Sequence, residues 1–350
     1  MREPSDVRRQ RILGVVGSRG TVRVGELAAE LEVSVVTVRR DVEELAQAGL
    51  VRRGHGVVRS VVAVGEPVVG GAVAVVVPER HTYLAEVVHG ARAVVEAAGL
   101  RVALHIAPQV TGAERPIVER ALADGARGLL IAPRWRSAAA EEADHGWLAG
   151  AGVPTVLVER RPPRGSALHA VDSVCSDHWF GVHLAVEHLV SLGHRRILLA
   201  ARDDSPTARA LRAAFEEVVA ARPEVDDWAA VLSAPDAGPG PGAEPVADFA
   251  DQVRERGITG VVLHGDVEAL MLVQHLVEHG VRVPADCSVV AYDDVVAGLG
   301  GTPLTAVAPP KAEVGRVAAD LLLRKLAGGT GTRRVELLPE LKVRGSTAIV

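Results

Sequence analysis

Residues 21–58 read TVRVGELAAELEVSVVTVRRDVEELAQAGLVRRGHGVV, and the order of signals along this stretch decides the fold of the N-terminal part. The spacing predicts a first helix from about Val24 to Leu31, where Leu27, Ala28 and Leu31 recur every three to four residues and make one narrow apolar stripe. Glu32-Val33-Ser34 supplies a turn, and the Ser34 hydroxyl is placed to accept from an orphan amide in the first turn of a second helix. In that second helix Val38, Val42 and Leu45 fall on one side. At about 100° per residue, Val36, Arg40, Glu43 and Gln47 lie opposite, with Thr37 and Arg39 flanking. Gly49 ends the helix, and Leu50 to Val58 alternates around glycines as a two-stranded basic hairpin does. Together these signals describe a winged helix-turn-helix.

The outer face carries chemistry suited to double-stranded DNA. Arg39 and Arg40 can pair with phosphate oxygens or with the O6 and N7 acceptors of guanine, and Val36 and Thr37 can touch a thymine methyl or a phosphate. Ser34 adds a phosphate contact at the helix N-terminus, where the dipole favours an anion. Arg52, Arg53 and His55 in the hairpin can track the backbone. A pair of arginines on an exposed helix face is by itself uninformative; the agreement of cap, core spacing and hairpin gives this pair its meaning.

The stretch resembles the DeoR-type winged helix from Arg8 to Val58, through Arg8, Ile12-Leu13, Gly20-Thr21-Val22, Glu26-Leu27-Ala28, Val33-Ser34 and Thr37-Val38-Arg39-Arg40-Asp41-Val42. Leu45, Gly49-Leu50, Arg53 and His55-Gly56 complete the pattern. Val57 stands where that family usually has a second glycine.

The chain has 350 residues, 24% of them charged, enough for two domains with their own cores. Its formal charge of −5 is unevenly spread. Residues 1–60 hold 11 arginines against 8 acidic side chains, a formal +3, leaving 28 basic against 36 acidic, a formal −8, elsewhere. Contact with nucleic acid is therefore expected at the N-terminus. Cys175 and Cys287 are the only cysteines, too isolated for a disulfide framework or a zinc site. The first residues, MREPSDVRRQR, lack the apolar core of a signal peptide, and no apolar run reaches about 18 residues, so a cytoplasmic protein with no membrane partner is expected.

The expected division is 1–59 for the winged helix, 60–71 for a linker and 72–350 for the remainder. In that remainder strand and helix alternate. Strands are expected at Ala72–Val77, Arg101–Ala107, Gly128–Ala132 and Thr155–Val158, with helices at Leu84–Ala98 and Pro116–Asp124. A second series follows, with helices at Trp179–Leu192, Thr207–Ala221 and Val267–His279 and strands at Ile197–Ala200, Gly260–His264 and Ser288–Ala291. Short continuous apolar strands separated by helices indicate parallel sheets covered on both faces. The fold class is α/β: two lobes, each a parallel sheet flanked by helices, behind the small winged domain. Ala234–Pro245, rich in proline and glycine, is expected to be a surface loop.

Ligands of open parallel sheets bind beyond the carboxyl ends of the strands. Those positions hold Glu79, His81 and Tyr83, then Arg134 and Trp135, Glu159 and Arg160, Asp266, and finally Tyr292, Asp293 and Asp294. Carboxylates, arginines and aromatic rings suit a polyol, with acceptors for hydroxyls and rings for an apolar sugar face. Each taken singly also fits loop or capping chemistry, and Asp266 could be a helix N-cap.

The order of segments from Ala72 to Ala348 resembles the LacI/GalR-type effector domain, which has the periplasmic-binding-protein fold. The most specific residues are Leu184-Ala185-Val186-Glu187-His188-Leu189 with Leu192-Gly193-His194-Arg195-Arg196-Ile197, Gly280 to Asp286, and Ser288-Val289-Val290-Ala291-Tyr292-Asp293-Asp294. Pro303-Leu304-Thr305, Pro339-Glu340-Leu341 and Val343-Arg344-Gly345-Ser346-Thr347 extend it. The resemblance implies a small effector, a sugar or a related metabolite, and a side-by-side homodimer. It assigns effector contacts to Tyr83, Asp177, Asp266 and Asp293; His81, Trp135 and Arg160 are expected contacts from their places past strand ends, and Arg209 and Arg212 are expected contacts on either side of the position where the family has an arginine. Gly265 replaces a usual Asn, Pro309 a frequent Gln and Leu211 an expected Arg, which implies an altered ligand or a weakened pocket.

There is no phosphate loop, no Gly-x-Ser-x-Gly elbow and no histidine pair at metal spacing, so no catalytic or metal residues and no cofactor are expected. The expected function is that of a sequence-specific regulator of transcription, most often a repressor in the families resembled, acting on operator DNA. The competing expectation is a cytoplasmic sugar-binding or sugar-processing protein whose N-terminal helices only mediate assembly.

Overall fold

The computed structural model describes residues 8–9, 11–12, 15–16, 21–31, 33–47, 51–54, 56–60, 71–78, 82–108, 110–233 and 249–350. Most of the expected linker, the loop at 234–245, His55 and His81 lie outside them, as does the side chain of Arg52. The chain divides into two compact units, Met1–Val69 and Gly70–Val350.

In the first unit, strand β1 (Thr21–Arg23) leads directly into α1 (Val24–Glu30), followed by α2 (Val35–Gln47), β2 (Val51–Gly54) and β3 (Val57–Ser60). Strand β3 lies between its neighbours, antiparallel to both, with Val22 opposite Val58 and Arg53 opposite Val58. The apolar stripes close on one core. Leu27 and Leu31 from α1 and Val38, Val42 and Leu45 from α2 are buried with Ile12, Val51 and Val58. Ser34 caps α2 as its sequence position indicates, its Oγ accepting from the Thr37 amide at 3.1 Å.

The second unit contains two six-stranded sheets. The first has the order β14-β8-β7-β6-β4-β5 and is wholly parallel, formed by β4 (Ala72–Pro78), β5 (Arg101–Ala107), β6 (Ala126–Ile131), β7 (Thr155–Val158), β8 (Asp172–Ser176) and β14 (Arg334–Leu337). The second has the order β10-β9-β11-β12-β13-β15, formed by β9 (Arg196–Ala200), β10 (Asp227–Val231), β11 (Gly260–Leu263), β12 (Ser288–Tyr292), β13 (Thr305–Ala308) and β15 (Glu340–Lys342). Only β15 runs antiparallel there. Because successive strand residues point to opposite faces, an uninterrupted apolar strand needs cover on both sides. Val73 and Val75 of β4 pack beneath α3 (Thr82–Ala97) and α10 (Lys311–Leu326), whereas Ala74 and Val76 face the layer holding α4 (Glu114–Ala123) and α5 (Ala138–Ala149). In the second lobe Ile197, Leu199 and Val262 face α6 (His178–Ser191) and α7 (Pro206–Ala220). Leu198, Val261 and Val289 face α8 (Phe249–Glu255) and α9 (Asp266–Glu278).

The chain passes between the lobes three times. It does so from β8 to α6, from β13 to α10, and from β14 to β15. The two lobes are thus not the two successive series that strand-helix alternation suggests, since α10 and β14 return to the first. Helix α10 crosses α3 at very short range. A Cβ on Gly90 would stand 2.0 Å from the Ala312 carbonyl oxygen, and one on Gly315 would stand 1.9 Å from that of Val87.

Candidate functional site

Two surfaces carry the chemistry expected from the sequence. The first is the outer face of α2. With Val38, Val42 and Leu45 inward, Val36 is left 75% exposed, and Arg39, Arg40 and Glu43 are exposed beside it. The Arg40 side chain is 83% exposed and lies 3.5 Å from Glu44, one turn on, a contact that holds it only weakly in water. Wing residue Arg53 pairs with Glu43, tying the hairpin to this helix. Ser34 and Thr37 pair through their hydroxyls at 2.8 Å. Asp41, on the inner side, is buried and accepts from Arg8.

The second surface is the cleft between the two lobes of the larger unit. Four residues just past strand ends there adopt the left-handed region: Trp135 (φ 37°), Glu159 (φ 52°), Asp293 (φ 93°) and Asp294 (φ 50°). Such conformations are costly for side chains with a Cβ and cluster where a fold aims side chains at a site. The buried Glu159 carboxylate accepts from Tyr83 Oη at 2.6 Å, from Ser176 Oγ at 2.9 Å and from the Ser176 amide at 3.1 Å. His178, at the start of α6, reaches it at 3.7 Å and Tyr292 Oη at 3.3 Å. Burial, then the charge of Glu159, raises the Tyr83 hydroxyl pKa, and burial lowers that of His178 against the pull of Glu159. Asp293 is pushed up to about 7 by burial, then by Asp266, with Lys311 opposing. The Lys311 ammonium donates to the Asp293 carbonyl at 2.6 Å and lies over the Tyr83 ring.

Most residues assigned to the effector from sequence are engaged within the protein. Asp266 follows the N-cap of α9, and its Oδ2 accepts from the amides of Val295, Val296 and Ala297. Arg160 is buried, donates to the Pro133 and Glu159 carbonyls, and is lowered to about 10 by burial. Arg212 binds the carbonyls of Ala201, Ala230 and Val231. Asp177 caps α6, accepting from the Phe180 amide at 2.9 Å. Trp135 is buried, with Nε1 donating to Asp144 at 2.8 Å. Arg209 spans the cleft to the Trp135 carbonyl at 3.0 Å and to Glu141 at 3.2 Å. Of the expected residues, the cleft brings Tyr83 and Asp293 close to one another and leaves the Asp293 carboxylate without a hydrogen bond among the described residues.

The sequence reading missed a further bridge between the lobes. Asp204, in the loop after β9, accepts from Arg134 at 2.7 Å, with Arg136 at 3.6 Å and Arg202 at 3.4 Å. Arg134 was visible as a residue past a strand end; Asp204, past the end of the expected strand Ile197–Ala200, carried the same signal and was not singled out. Among the described residues no cluster of His, Cys, Asp and Glu could hold a metal ion, and no helix is long and apolar enough to cross a membrane.

Known proteins resemble both units of the chain. Residues 8–63 match the DeoR-like helix-turn-helix domain, and residues 186–347 match the periplasmic binding protein-like domain. The transcriptional repressor PurR of Haemophilus influenzae is 30% identical over 201 residues, which is 55% of this chain and 57% of that protein. An HTH-type regulator from the aml 5′ region of Streptomyces limosus is 34% identical over 211 residues, 56% of this chain and 55% of its own. The chain thus spans little more than half the length of these relatives. An arabinose metabolism transcriptional repressor of Halalkalibacterium halodurans is 27% identical over 96% of this chain and 91% of its own. Among solved structures, a LacI transcriptional regulator from a Rhodococcus species superposes with a TM-score of 0.66 at 24% identity, covering 80% of this chain and 99% of that one. The regulator CelR in complex with cellobiose gives 0.64 at 23% identity, covering 89% and 90%. These likenesses show the two-lobed fold.

Proposed function

The chain carries a DeoR-like helix-turn-helix domain followed by a periplasmic binding protein-like domain, and from that premise we propose that it is a sequence-specific DNA-binding regulator of transcription, a repressor controlled by a small effector. The observation that carries the reading is the exposed face of α2, where Val36, Arg39 and Arg40 stand free of the core in a unit with its own hydrophobic centre. On this reading Arg39 and Arg40 read base edges, Val36 and Thr37 meet a thymine methyl or a phosphate, and Ser34, Arg52, Arg53 and His55 contact the backbone. The protein acts in the cytoplasm as a homodimer on double-stranded operator DNA and performs no catalysis.

The effector, a sugar or related metabolite, binds between the lobes and must favour one lobe arrangement over another, since equal affinity for both shifts nothing. Related proteins named as repressors and a cellobiose-bound neighbour support this reading. A gel shift of the full chain on a library of operators, over a range of salt, tests it. Specific retention that falls steeply with salt is expected. Arg40→Ala should cost about 1–3 kcal/mol of discrimination while leaving effector affinity unchanged. Absence of sequence-specific retention would sink the proposal.

A further inference from the structure

The first lobe has a cavity of its own, between the start of α4 and the side of α5 that carries Ala140, Ala143 and Asp144. Its volume is about 120 Å³, and its lining residues all lie between Val110 and Asp144, so the second lobe contributes none. An aliphatic cavity of roughly 150 Å³ takes up benzene. The cavity therefore suits a molecule of similar size.

Both signs of charge meet there. Glu114 is 5% exposed and lines the cavity, with Oε1 accepting from the Arg134 amide at 3.0 Å. Its Oε2 accepts no hydrogen bond, and the carboxylate forms no ion pair among the described residues. A buried carboxylate is costly without a counter-charge, and a ligand ammonium would supply one. Helix α4 starts at Glu114 with no side-chain cap on its first amides, and an uncapped helix N-terminus favours an anion. Arg136, its side chain 38% exposed, lines the same cavity and offers a guanidinium to that anion. In all, the lining sets Glu114 and Asp144 against Arg134 and Arg136, a balance that suits a ligand without net charge. Val110, Ala140 and Ala143 make the rest of the wall apolar.

From these features we propose that a small α-amino acid with an apolar side chain binds in this cavity of the first lobe as its zwitterion. Its ammonium donates to Glu114 Oε2, its carboxylate lies at the start of α4 beside Arg136, and its side chain rests on Val110, Ala140 and Ala143. The site has a consequence for the bridge described above. Arg134, whose amide Glu114 holds, donates to Asp204 of the second lobe at 2.7 Å, and Arg136 stands 3.6 Å from the same carboxylate. A ligand carboxylate on Arg136 competes with Asp204, so occupancy of the first lobe bears on its tie to the second. Linkage is reciprocal: loosening that tie strengthens the amino acid.

Titration calorimetry and thermal shift on the full chain test this, with L-alanine, L-valine and L-leucine as probes. At least one is expected to bind and to raise the Tm. Isovalerate, which lacks the ammonium of valine, and isobutylamine, which lacks its carboxylate, should each bind on the order of tenfold more weakly than the amino acid or not at all. Glu114→Gln and Ala143→Leu should each weaken the amino acid on the order of tenfold. Ala143 is exposed on α5, so its variant fills the cavity from outside the core and decides the matter if Glu114→Gln unfolds. Asp293→Asn, in the cleft between the lobes, should leave the affinity within about twofold. Asp204→Asn should tighten the amino acid on the order of fivefold by releasing Arg136. No binding of any of the three amino acids, or binding of isovalerate or isobutylamine as tight as theirs, would overturn the site. So would an affinity that Asp293→Asn abolishes and that Glu114→Gln and Ala143→Leu leave unchanged. Unchanged or weaker binding in Asp204→Asn would overturn the coupling to the bridge.

Discussion

Arg8 grips the Asp41 carboxylate with two nitrogens, Nε to Oδ2 at 2.6 Å and a terminal nitrogen to Oδ1 at 3.1 Å, and Asp41 is buried in the helix that presents Arg39 and Arg40. The pair joins the chain before β1 to the inner side of α2. Removing one partner of a buried ion pair costs about 3–5 kcal/mol. Asp41→Ala should therefore destabilise the N-terminal unit by that order and weaken operator binding. Residue-resolved hydrogen exchange on the full chain would read this as faster exchange in α2 with unchanged protection in β9 and β11. Equal protection of α2 in both proteins would refute it.

The Arg134–Asp204 bond ties the lobes together at one side of the cleft. Burial alone would raise the Asp204 pKa, yet the Arg134 hydrogen bond and the charges of Arg202 and Arg136 hold it below the ordinary carboxylate value. A depressed carboxylate contributes stability above its unfolded pKa of about 3.9, and that contribution is lost as pH falls through the lower folded value. Asp204→Asn should lower stability by about 1.5–3 kcal/mol near neutrality and flatten the acid limb of the urea midpoint below about pH 4. Small-angle scattering of the ligand-free chain should show a larger radius of gyration in the variant; an identical profile would count against an interlobe tie.

Gly90 and Gly315 let α3 and α10 approach to backbone contact. Alanine would ordinarily improve a helix by about 1 kcal/mol over glycine, but here each added Cβ meets a carbonyl carbon and oxygen that cannot swing aside. Gly90→Ala and Gly315→Ala should each lower stability, by roughly 1–3 kcal/mol or more. The double variant should cost less than the two together, because one separation of the helices relieves both. Urea denaturation measures this, and a stabilised single variant would contradict it.

Asp293, pushed up to about 7 mainly by burial, gives the opposite pH signature to Asp204. Between its unfolded pKa of about 3.9 and 7 the native state holds a proton that the unfolded chain has released, so its contribution falls as pH rises through this window and is level above it. Asp293→Asn should remove that slope while tolerating the positive φ, which asparagine adopts more readily than most residues. Denaturation midpoints from pH 4 to 8 check it, and parallel curves for the two proteins would show that Asp293 titrates in its ordinary range.

The winged unit was legible because its signals are local: the Ser34 cap, the Val38-Val42-Leu45 stripe and the glycines of the hairpin each act within a few residues. In the larger unit, β5 and β7 fall where the apolar runs put them, since glycine or proline bounds each run. Strand β8, reading DSVCS, was not legible. Its polar side chains meet distant partners, Ser176 the Glu159 carboxylate and Asp172 Oδ1 the Arg333 amide. Helix α10 has an apolar stripe at Val314, Ala318, Leu321 and Leu322 that sequence could have revealed. Strand-end logic did find Tyr83, Glu159 and Asp293. It could not tell that Arg160, Arg209, Arg212 and Asp266 meet partners from elsewhere in the unit, because those meetings follow from the crossings between lobes.

Those crossings also set an order of completion during synthesis. The first lobe begins at β4, but its sheet lacks an edge strand until Arg334–Leu337 is made, and Val73, Val75 and Leu130 lack one of their covering helices until Lys311–Leu326 is made. By then every strand of the second lobe except β15 already exists. The lobe that starts first is therefore closed late, and a released chain ending at Ala308 would hold β9 to β13 beside a first lobe whose Val73 and Val75 are covered by α3 without α10, a substrate for chaperones and proteases.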